Sequence, residues 1–87
     1  LFTHAGIDPN KCIRDQSETE LLWIREPFLS CTHLLSKVVV HGHTVTESFQ
    51  PEIRRHRIGI DTGAYICGNL TAAVITENRI NFVSNKD

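Results

Sequence analysis

The segment Val38-Val39-Val40-His41-Gly42-His43-Thr44 constrains the fold more than any other. Three β-branched residues in a row lose side-chain freedom in a helix and pack well on a pleated sheet, so the run predicts a strand. Its apolar residues follow one another without alternation, which predicts cover on both faces. Gly42 stops the run and His43 is delivered at the strand's end. Such a strand demands neighbours, and a chain of 87 residues has few to give, since a domain of this size buries little more than ~60% of its unfolded surface.

The neighbouring elements follow from local chemistry. Leu1-Phe2-Thr3 reads as the end of a strand, and the cluster of glycine, aspartate, proline and asparagine over residues 5–10 as the loop that leaves it. Ser17-Glu18-Thr19-Glu20 has the spacing of a capping box, in which the Ser17 hydroxyl accepts from the Glu20 N–H and the Glu20 carboxylate accepts from the Ser17 N–H. A short helix therefore starts there. It carries Leu21, Leu22, Trp23 and Ile24, with Leu21, Leu22 and Trp23 expected in the core, and it stops by Glu26 because Pro27 disfavours helical geometry in the residue before it.

Residues 44–57 are polar, contain Pro51 and three arginines, and read as a long surface excursion of the kind that borders sites. The last third reads as three strands, over residues 57–60, 70–75 and 79–83, with a bend at Asp61-Thr62-Gly63 and a tight turn at Thr76-Glu77-Asn78. That spacing leaves no room for crossover helices, so an antiparallel meander is expected. The fold class is thus α/β in an α+β arrangement: one short helix, a strand ending in Gly-His-Thr and a three-strand antiparallel meander. A single domain over residues 1–87 is expected, without internal repeat, low-complexity segment or linker.

Charge says little about partners. The net charge of −1, with five histidines counted neutral, offers neither a basic field for nucleic acid nor an acidic one for a cationic partner. No stretch approaches the ~18 apolar residues of a membrane span, and no signal peptide is visible at the start. Cys12, Cys31 and Cys67 are odd in number and widely spaced, which suits reduced thiols and a cytoplasmic setting. Cys31-Thr32-His33 is no usual ligand knuckle and no Cys-x-x-Cys accompanies it, so a structural zinc drawing on Cys12, Cys31, His33, His41 and His43 is not expected.

Four segments occur in an informative order: Thr3-His4-Ala5-Gly6-Ile7-Asp8-Pro9, Leu21-Leu22-Trp23-Ile24-Arg25-Glu26-Pro27-Phe28, Val38 to Thr44, and Ile60-Asp61-Thr62-Gly63-Ala64 with Cys67-Gly68-Asn69-Leu70-Thr71. Any one arises by chance. Together they resemble bacterial and phage serine/threonine protein phosphatases of the calcineurin-like metallophosphoesterase superfamily, over nearly the whole chain. Symmetrical diadenosine tetraphosphate hydrolases share the His-Ala-Gly-Ile and Gly-His-Thr elements, so the resemblance marks the superfamily more firmly than the substrate. The superfamily patterns Asp-x-His, Gly-Asp-x-x-Asp-Arg-Gly and Gly-Asn-His-Glu are absent from this sequence. The resemblance therefore implies the C-terminal half of the metallophosphoesterase αββα sandwich, with the remaining ligands on an N-terminal part that this sequence lacks.

The same resemblance assigns roles. It implies that His4 and His43 ligate the second of two divalent ions, manganese, iron or zinc, while the first ion, the bridging aspartate and the acid for the leaving group belong to the absent part. Phosphate monoesters hydrolyse very slowly in water, and a two-metal site activates the attacking water and clamps the phosphoryl oxygens. A lone histidine is ordinarily a surface or hydrogen-bonded structural residue, and the flanking match is what singles these two out. Gly42 is expected to let the backbone approach the metals. His41 is expected to pack or to support a ligand. Val45 stands where many metallophosphoesterases place a further histidine, which fits the protein-phosphatase branch.

Arg25 is the candidate for gripping phosphate, because a guanidinium fork matches two phosphoryl oxygens; the alternative is a solvated arginine paired with a carboxylate. Asp61 either supports a metal histidine or ties down the turn before Gly63. Tyr65, Ile66 and Cys67 fall on what the resemblance makes a loop over the active site, or on a plain connection between strands. The expected substrate is a phosphorylated protein or small phosphoester, with neither nucleic acid nor membrane as partner. Activity is expected of a parent protein, and little of this chain alone. The other readings are a nucleotide phosphatase like the symmetrical diadenosine tetraphosphate hydrolases, and a non-catalytic remnant or half-domain whose exposed sheet edges pair between copies.

Overall fold

The computed structural model describes residues 1–32 and 35–85. His33, part of the dismissed zinc set, lies outside the described residues. The elements are a 3-10 turn at Ile13–Asp15, α1 at Glu18–Trp23, β1 at Val39–His41, β2 at Glu52–Ile53, β3 at Arg57–Gly59, α2 at Ala64–Cys67, β4 at Thr71–Ile75 and β5 at Ile80–Ser84. The described residues are mixed α and β, with two small sheets.

β1 has neighbours on both sides. The N-terminal stretch runs parallel to it, with Phe2 bridged to Val40 and with the Val40 and Gly42 N–H groups donating to the Leu1 and His4 carbonyls, each at 2.8 Å. On the other side β1 pairs in parallel with β3, Val40 opposite Ile58 and His41 opposite Gly59. β2 closes the sheet antiparallel to β3, giving the order β1-β3-β2. Val39 and Val40 are buried, as a strand covered on both faces requires, whereas Val38 is half exposed.

The capping box forms as spelled. Glu20 N–H donates to Ser17 Oγ at 3.2 Å and Ser17 N–H to Glu20 Oε1 at 2.8 Å. α1 ends at Trp23, and the core gathers Ile7, Phe28 and Val39 with Leu21, Ile24, Ile13, Leu29 and Leu35 against it. Leu21 and Ile24 are three positions apart and share one helical face. Leu22 and Trp23 lie off that face and are 41% and 67% exposed, so their expected place in the core is corrected.

Residues 44–56 are more than a surface excursion. They carry β2, bury Thr46 and His56, and supply the crossover that a parallel β1–β3 pair needs. The three-strand meander is corrected too. β4 and β5 form the expected antiparallel hairpin, but β3 belongs to the other sheet. Between β3 and β4 stands α2, a single turn set between two left-handed glycines, Gly63 and Gly68. The hairpin is tied back by a polar latch: Thr62 Oγ1 donates to the Asn69 carbonyl at 2.6 Å and lies 2.7 Å from Thr71 Oγ1, while Asn69 Oδ1 accepts from Ser84 Oγ. Among the described residues no helix is long and apolar enough to cross a membrane.

Candidate metal centre

The parallel pairing fixes His4. Its carbonyl accepts from Gly42 N–H, which sets it beside the end of β1, where His43 leaves the strand. His43 adopts φ +65, and across it Thr44 N–H donates to the Gly42 carbonyl at 2.7 Å. A three-residue turn closed by that bond with a positive φ at its centre is the rare, strained kind. It throws the His43 side chain away from the line of the strand. The result is a pair of imidazoles from distant parts of the sequence, with ring centroids 5.2 Å apart and planes tilted by 58°.

The strain falls on His43 and not on Gly42. A Cβ on Gly42 would meet the His4 carbonyl oxygen at 3.7 Å and Asp61 Cβ at 3.9 Å, both ordinary contacts, so packing among the described residues does not itself demand a glycine there.

Both histidines line a cleft of about 480 Å³, together with Asp61 and, at its mouth, the exposed side chains of Phe2, Tyr65 and Leu70. Among the described residues no lysine or arginine lines it. Asp61 ties the turn: its Oδ1 accepts from Gly63 N–H at 3.2 Å and its carbonyl from Thr46 N–H at 2.9 Å. Arg25 is exposed just beyond α1 and makes no side-chain hydrogen bond or ion pair among the described residues; it is not part of the cleft wall. Ile66 and Cys67 sit with Tyr65 on exposed α2, and Cys67 Sγ donates to the Thr62 carbonyl.

His41 has both ring nitrogens engaged. Arg57 Nη1 stands 3.1 Å from His41 Nε2, and a guanidinium can only donate, so Nε2 accepts and Nδ1 carries the proton toward the Gly42 carbonyl at 3.1 Å. The ring is buried and edge-on to Phe28, with centroids 5.0 Å apart. Burial pushes its pKa down, and the Arg57 charge acts in the same direction against the Gly42 hydrogen bond. A ring so occupied has no lone pair left for an ion.

Sequence reasoning missed two residues of consequence. Arg57 is buried and reaches Glu52 Oε1 at 2.7 Å, the Leu29 carbonyl at 3.1 Å and His41, so it braces β1 through β3. No motif announces it. Trp23 stands edge-on to His43, with centroids 5.8 Å apart and planes at 87°. Helical arithmetic could have flagged it, because two residues past Leu21 is ~200° around the helix, away from the core face.

Two imidazoles suit a borderline divalent ion such as zinc, manganese or iron. Two donors would supply only half of a coordination shell, since structural and catalytic zinc sites take three or four protein ligands. Among the described residues no group of three or more His, Cys, Asp and Glu side chains is placed to hold an ion. The pair therefore fits one side of a metal centre and does not fit a self-contained one. No protein-family model, no curated protein and no solved structure matches the chain.

Proposed function

We propose that this chain belongs to a metal-dependent phosphoesterase, acting on phosphorylated serine or threonine of a protein, and that His4 and His43 form one side of its divalent-metal centre. The observation that supports this most is the strained turn at His43, which brings its imidazole to 5.2 Å from that of His4 in one cleft. Strain of this kind costs on the order of 1–3 kcal/mol and persists where the surroundings over-determine it, commonly at functional positions.

In this reading His4 and His43 hold the ion, and further donors come from beyond the residues described here. The metals, when bound, activate water and offset the charge of the phosphoryl group. His41 supports β1 through Arg57 and binds no metal. Arg25, which the resemblance assigns to phosphate, is exposed and unpaired among the described residues and would reach the phosphoryl group from outside the cleft wall. Tyr65, Phe2 and Leu70 give the mouth of the cleft an apolar rim that a peptide flanking the phosphorylated residue would cover.

The test is a Mn2+ titration of the 87-residue chain, followed through its imidazole NMR signals. Paramagnetic broadening is expected to be strongest at His4 and His43 and weaker at His41, and to be lost at His4 in His43→Ala. With two donors in place of a full shell, hydrolysis of p-nitrophenyl phosphate by the chain with Mn2+ should equal that by Mn2+ alone. Broadening centred on His41, or none at His4 and His43, would reject the assignment.

A further inference from the structure

We draw no further inference here: the strongest candidate, a second cleft of about 480 Å³ beside β2 and β3, carries the carboxylates of Glu26, Glu47 and Glu52 together with the guanidiniums of Arg54 and Arg57, and nothing in the structure shows which ligand would occupy a wall of such mixed charge.

Discussion

Gly6 is the residue at which backbone and core meet most closely. It is buried at φ +149, and a Cβ there would lie 2.9 Å from Phe28 Cγ and nearer still to two other ring atoms. Phe28 is fully buried and stands edge-on to His41 and His56, so its ring has nowhere to retreat. Gly6→Ala combines overpacking with a backbone conformation that L side chains avoid, and it is expected to destabilise by about 3 kcal/mol. Gly42→Ala adds its methyl to ordinary contacts at 3.7 and 3.9 Å and is expected to be nearly neutral. Urea denaturation of the two variants checks both; a loss below about 1 kcal/mol in Gly6→Ala would mean that Phe28 does not pack against this loop. The Gly-Ile pair was readable as loop chemistry, but its role as the floor under Phe28 was not, because the two are distant in sequence and no local pattern links them.

At the scale of elements, α1 depends on its first turn. The Ser17 backbone N–H, followed by the Lys11 ammonium at 3.0 Å, holds the Glu20 carboxyl down from 4.5 to about 2. The folded carboxyl is thus the stronger acid. Between pH 4.5 and about 2 the unfolded chain takes up the proton first, so the contribution of this cap is complete above pH 4.5 and is lost as pH falls toward 2. Glu20→Gln can still accept from the Ser17 N–H but carries no charge to lose. Its melting temperature is therefore expected to fall less steeply than that of the parent chain across that window, and parallel curves would show that the Ser17 and Lys11 contacts do not act on this carboxyl. The cap was legible because every partner that defines it lies within one turn of sequence. β1 was legible as a buried strand for a similar reason, since Val39 and Val40 declare their own burial. The partners of β1 were not, because apolar continuity says that both sides are covered and says nothing of which segment covers them; the crossover through residues 44–56 is polar and carries only the two-residue β2. The His4 and His43 rings stand with centroids 5.2 Å apart, while Trp23, read as core, stands beside His43.

Across the whole molecule the two sheets are unequally supported. The sheet of β1, β2 and β3 surrounds the core, whereas β4 and β5 form a two-stranded ribbon held to it by the Thr62, Asn69, Thr71 and Ser84 latch. Isolated ribbons of two strands are marginal in water. One face of this ribbon carries Thr71, Ala73, Phe82 and Ser84, which are buried or half-buried; the other carries Ala72, Val74 and Val83, all exposed, with Leu70 preceding them. Such a ribbon, apolar on its outer face and open at its edges, invites pairing with another chain, and a net charge of −1 provides little repulsion to oppose it. The chain is therefore expected to associate as its concentration rises, read by sedimentation velocity. Val74→Lys and Val83→Lys place a charge on the outer face, where the native side chains are 45% and 54% exposed, and should suppress association while changing stability by no more than about 0.5 kcal/mol. Suppression together with a large stability loss would instead mean that the outer face is packed within the monomer. Unchanged association would move the contact elsewhere, to the edge beside Phe2 and away from the ribbon.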